Sequence, residues 1–142
     1  MQLVDTKITV DASPNAAWQK LVDWQRMHKW DIFMDWVKFD GPLALGSVGD
    51  LKMTGGPTVK LKVTAFDPPN SYTDEFTMLG STFVFYHEVM ESTDGGAIVR
   101  ITVDANGTLA SMLAPLMRSD FAKKMPILMN NFKRQLEEPA AI

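Results

Sequence analysis

A chain of 142 residues, 46% hydrophobic and 22% charged, is long enough to bury a core as one domain spanning 1–142, and too apolar to remain disordered. It contains no cysteine, which excludes a disulfide framework, thiolate metal sites and cysteine catalysis and is compatible with a reducing cytosol. The net charge of −3 lacks the basic footprint of a nucleic-acid binder, the N-terminus has no signal-peptide pattern and no run reaches transmembrane length, so a cytoplasmic location without membrane insertion is expected.

Residues 2–10 alternate Leu3, Asp5, Lys7, Thr9 against Val4, Thr6, Ile8, Val10, the pattern of a half-buried strand. Ser13 followed by Pro14 marks a helix start, with serine as N-cap and proline at the first helical position. That helix is predicted to bury Ala17, Trp18 and Leu21 and to stop near Asp23, before a second short helical stretch from Trp24 to Lys29. "MDWVKFD", "SVGDLKMT", "TVKLKVTAF", "SYTDEFTML", "TFVFYHEVM" and "AIVRITVDA" then read as six strands, each ended by glycine, proline, asparagine or aspartate turns. Short connections between them predict an antiparallel meander.

The third of these strands sets Val59, Leu61, Val63 and Ala65 on a covered face against Lys60, Lys62 and Thr64 on a wet one. The cover is supplied by the C-terminal segment, where Met112, Leu113, Leu116, Met117, Phe121, Met125, Leu128, Met129, Phe132 and Leu136 form a helical stripe. Pro115 is expected to begin the main helix after a short first turn, and Pro126 to kink it. Lys123, Lys124, Lys133 and Arg134 form its wet face, and the residues after Glu138 are expected to fray.

The order of these elements and their punctuation resembles the START-like superfamily of Bet v 1-like, helix-grip proteins, and within it the bacterial polyketide cyclase/dehydrase and lipid-transport group. The resemblance runs from Ile8 to Glu138 and is carried by "ITVDASPNAAWQKLVD", "HKWDIFMDWVKFDGPLALGS", "AFDPPNSYT", "DGGAIVRITVDANG" and "APLMRSDFAKKMPILMNNFKRQLEE". It implies an α+β fold in which a curved seven-stranded antiparallel sheet wraps around a long C-terminal helix. Two short helices follow the first strand and close one end of a cavity between sheet and helix. Members bind or transform very different molecules, so the resemblance speaks to fold more than to activity.

Standard catalytic constellations are absent: neither His28 nor His87 has metal-ligand spacing, and there is no nucleophile elbow or phosphate loop. Polar groups on apolar strands are the remaining signal. Phe83, Phe85, His87 and Val89 are the more apolar face of their strand and are placed inward, although a four-residue turn at Thr93–Gly96 favours the opposite set. An inward His87 is positioned to bind a ligand carbonyl or to act as acid or base near neutral pH. Tyr72, Asp74, Phe76 and Met78 share a face, so Asp74 points where an apolar residue belongs; Arg100 is left outside. The ligand contacts nominated are Trp30, Leu61, Val63, Tyr72, Asp74, Phe76, Phe85, His87, Met117, Phe121 and Met125, with His87 and Asp74 as catalytic candidates.

Two main functions fit. One is a monomeric or homodimeric binder or carrier of a small hydrophobic molecule, using no cofactor and no metal; adaptable methionine and aromatic walls favour it. The other is a polyketide cyclase/aromatase or dehydratase in which a pocket His or Asp moves protons. A weaker third is an adaptor acting through protein contacts. The four tryptophans, Trp18, Trp24, Trp30 and Trp36, recur every six residues, which rotates each by roughly 240° on a helix and so makes no single face. They are divided among elements, with Trp18 in the core, Trp36 partly exposed and Trp30 the one expected to border a cavity.

Overall fold

The computed structural model describes residues 1–138; the fraying expected after Glu138 lies outside the described residues. Strand β1 spans Gln2–Val10. Helix α1, Pro14–Leu21, starts where Ser13 Oγ accepts the Ala16 N–H at 3.1 Å and Pro14 occupies the first turn. A 3₁₀ segment, Trp24–Lys29, follows. Strands β2 (Met34–Lys38), β3 (Val48–Met53), β4 (Thr58–Asp67), β5 (Ser71–Met78), β6 (Ser81–Glu91) and β7 (Ala97–Asn106) then lead into α2, Thr108–Glu137.

The strands form one curved antiparallel sheet in the order β1-β7-β6-β5-β4-β3-β2. From β2 to β7 it is the predicted meander, while β1 pairs with β7, so β1 and β2 occupy opposite edges. Residues 11–33, holding α1 and the 3₁₀ segment, therefore carry the chain from one edge of the sheet to the other. Val99, Ile101 and Val103 of β7 are buried; Arg100 points outward and grips Asp5 of β1 with two hydrogen bonds of 2.9 and 2.8 Å.

Two expectations are corrected. On β4, Leu61 and Val63 are buried but Ala65 is exposed, because the pairing with β5 slips between Val63 and Ala65. Past that bulge the inward residue is Phe66, whose ring lies 5.9 Å from Trp18. The second correction concerns the start of α2, which lies at Thr108 and not at Pro115; the helix continues past both prolines. A proline's fixed φ is already helical, and each removes a single bond from a 30-residue element, which is insufficient to end it.

The stripe on α2 is also divided. Met125, Leu128, Met129 and Phe132 are buried, whereas Met112 and Leu116 are 73% and 69% exposed. In the N-terminal half of the helix the buried residues are Ala110 and Ala114. The C-terminal half thus seals against the sheet and the N-terminal half stands over it. Among the described residues no helix is long and apolar enough to cross a membrane.

Candidate functional site

A cavity of about 520 Å³ lies between the sheet and α2, within the range of sites for small molecules. Six of the chain's ten methionines and five of its eight phenylalanines line it. Phe76, Phe83 and Phe85 stack along the floor, with Phe76 centred 5.2 Å from Phe83 and 5.7 Å from Phe85. Trp30, edge-on to Phe132 at 4.9 Å, forms one wall at the exit of the 3₁₀ segment. That segment is tied to α2 where Lys29 C=O accepts from Gln135 at 2.7 Å, and Trp30 C=O from Asn131 at 3.5 Å. Leu113, Leu116 and Asp120 both line the cavity and reach the exterior, which places its mouth at the N-terminal half of α2.

Four ionisable side chains interrupt the apolar lining: Asp31, Asp74, His87 and Asp120. Asp74 is only 7% exposed and takes no hydrogen bond or ion pair among the described residues. Burial, and then repulsion from Asp31, hold its carboxyl well above the usual range and favour the protonated form, which can donate a hydrogen bond. Asp31 Oδ1 accepts the Phe33 N–H at 2.9 Å, and desolvation outweighs that bond to raise its carboxyl to about 6.

His87 lies between them in character. Its Nδ1 is 3.3 Å from the Tyr72 carbonyl, an acceptor only, so Nδ1 carries the hydrogen and Nε2 is a free acceptor. Desolvation lowers its pKa to about 4, against which the Tyr72 bond works only partly. Burial thus favours the neutral imidazole, with Nε2 as an acceptor.

Of the nominated residues, Trp30, Leu61, Asp74, Phe76, Phe85, His87, Met117, Phe121 and Met125 line the cavity. Val63 and Tyr72 do not. Val63 is fully buried in the core, and the Tyr72 ring is covered by His87 on one side and the edge of Trp18, at 6.1 Å, on another. The Tyr72 hydroxyl is buried without a hydrogen-bond partner among the described residues. Asp31, Phe33, Met34 and Met53 were not nominated. Asp31 closes a local turn with Phe33, an ordinary loop signature, so its position in the cavity had no distinguishing mark in the sequence.

Among the described residues, no group of three or more His, Asp or Glu is placed to hold a metal ion. A family model described as polyketide cyclase/dehydrase and lipid transport matches residues 1–137. The chain belongs to that family. No match was found among curated proteins. Among solved structures, the polyketide cyclase/dehydrase-family chain resembles a protein from Mesorhizobium loti, with 14% identity, 98% of each chain covered and a TM-score of 0.74. It also resembles norcoclaurine synthase from Thalictrum flavum, solved as a point mutant with a transition state analogue, at 11% identity, 94% and 92% coverage and a TM-score of 0.71. A third similar structure is Ara h 8.0201, at 14% identity, 94% and 95% coverage and a TM-score of 0.69. At these identities the likeness establishes the Bet v 1-like fold alone.

Proposed function

We propose that this family member binds a small hydrophobic molecule in the cavity and carries it. The single observation behind the reading is a roughly 520 Å³ space walled by methionine and aromatic side chains, with only a few polar groups aimed into it. Those groups have complementary roles: Asp74 donates, His87 Nε2 accepts, and the apolar wall supplies affinity. Trp30 sits at the wall, so occupation changes its emission. The test is titration of an apolar ligand with tryptophan fluorescence, alongside native mass spectrometry for co-purified molecules. A saturable change that disappears in Trp30→Phe supports binding; no uptake of any probe ends the proposal.

A second reading, proton-transfer catalysis of the cyclase or dehydratase kind, is favoured by one observation. Asp31 and Asp74 are displaced upward to different extents, and carboxyls separated in this way suit acid and base roles. In that case Asp74→Asn abolishes turnover of a bound polyketone while its affinity stays within a few-fold. Unchanged turnover removes Asp74 from the chemistry.

A further inference from the structure

The charges lining the cavity all have one sign. Among the described residues no lysine or arginine lines it, while Asp31, Asp74 and Asp120 do. Asp120 is already answered outside by Lys124, whose ammonium lies 3.2 Å from it and 5.7 Å from the Phe33 ring centre. Asp31 and Asp74 have no such cation. Asp31 is held by one backbone N–H, and Asp74, more than nine-tenths buried, has no partner among the described residues although it opens into the cavity. A carboxylate in an apolar enclosure is costly unless a positive charge accompanies it.

We propose that the cavity selects a ligand with a cationic amine head on an apolar body, the ammonium lodging between Asp31 and Asp74. This deepens the binding reading and rests on it. The rest of the surroundings fit that head. His87, with Nδ1 committed to the Tyr72 carbonyl, offers Nε2 as an acceptor for an ammonium N–H. Trp30, Phe76 and Phe85 line the same cavity, and aromatic rings are surfaces on which cations rest. An anionic head meets the opposite: one buried and one half-buried acid, and an imidazole whose free nitrogen accepts rather than donates. The groups facing the head are Asp31 at the exit of the 3₁₀ segment, Asp74 on β5 and His87 on β6, with the buried Tyr72 hydroxyl behind them and the Asp120–Lys124 pair at the α2 mouth.

An ammonium beside Asp74 favours its ionised form, against the desolvation that raises its carboxyl pKa, so a proton held there is released on binding. The experiment is calorimetric titration of the full chain at pH 7.5 with three matched probes: 2-naphthylmethylamine, 2-naphthylmethanol and 2-naphthoate. The amine is expected to bind at least about tenfold tighter than the alcohol. Naphthoate is expected to bind weakest. Repeating the amine titration in buffers of different ionisation enthalpy should show proton release. Asp74→Asn, and separately Asp31→Asn should either variant fold poorly, should bring amine and alcohol to within threefold while alcohol binding persists. Alcohol affinity equal to the amine's, or naphthoate binding tightest, overturns the cationic selection and leaves the binding reading intact. Failure of all three probes to bind overturns both.

Discussion

The imidazole of His87 lies flat on the phenol ring of Tyr72, with centroids 4.1 Å apart and planes 6° from parallel, while its Nδ1 reaches the carbonyl of the same tyrosine. Direct cross-strand pairing of Tyr72 on β5 with His87 on β6 produces both contacts. The ring is thereby held in one tautomer and kept out of water.

A histidine kept neutral by burial makes stability depend on pH in a definite direction. The unfolded chain takes up a proton at an ordinary imidazole pKa, whereas folded His87 resists until about 4. Its effect is absent above pH 6.5 and grows as the pH falls from there toward 4, weakening the fold by up to about 3 kcal/mol. His87→Gln removes this dependence, so the variant should gain on the parent as the medium is acidified. Nitrogen-15 spectra of the imidazole should show an Nδ1–H tautomer that does not titrate between pH 5 and 8. Titration near 6.5 sinks the argument.

Asp74 acts with the opposite sign. Its folded pKa is raised, so its contribution is complete below the unfolded value of 3.8 and is lost as the pH rises toward the folded value. Asp74→Asn should therefore gain on the parent as the pH rises from 4.5 to 8, measured from urea midpoints. Between roughly pH 4 and 6 the Asp31 and His87 slopes oppose one another, so the variant difference rather than the parent curve is the clean observable. A gap constant across pH shows that Asp74 is already ionised.

Periodicity made the strands and the long helix readable, and it set the inward faces of β5 and β6 correctly. His87 could be misassigned only because the β6–β7 connection was open to a four-residue turn; the loop is Ser92–Gly96, which pairs Val89 with Val99 and keeps His87 inward. Alternation could not reveal the slip after Val63, since a bulge adds a residue without changing composition. Nor does a 3.6-residue period distinguish an apolar side chain facing a core from one facing a cavity or solvent. Met125, Met117 and Met112 occupy one sequence stripe but are buried, half-buried and exposed. Asp31 was invisible for another reason: its role depends on Asp74, 43 residues away in the chain, approaching the same enclosure.

The start of α2 depends on a residue from another element. Gly107, its N-cap, has no side chain to satisfy the first-turn donors, and the Ala110 N–H is instead accepted by Ser81 Oγ at 3.0 Å. Ser81 is fully buried, so Ser81→Ala leaves that donor unpaired and should cost about 1–2 kcal/mol. Gly107→Ala should cost more than Ser81→Ala. Its φ is 120° and a Cβ would stand 2.6 Å from the Gly80 carbonyl oxygen. Chemical denaturation of both variants checks the order; a silent Ser81→Ala refutes the capping role.

Two neighbouring positions on β4 distinguish a real void from ordinary core. Leu61 lines the cavity, whereas Val63, two residues along the same face, is fully buried and does not. A tryptophan at position 61 extends into empty space, so Leu61→Trp should change stability by less than about 1.5 kcal/mol while reducing affinity for an apolar probe more than tenfold. Val63→Phe drives a larger ring into packed atoms and should cost about 1–3 kcal/mol. Urea unfolding and probe titration on both variants make the comparison. If Leu61→Trp destabilises as much as Val63→Phe, the space beside Leu61 is already occupied by protein and cannot hold a ligand. If it keeps both stability and full affinity, the ligand binds elsewhere. Only stability retained with affinity lost fits a ligand whose apolar body lies against Leu61.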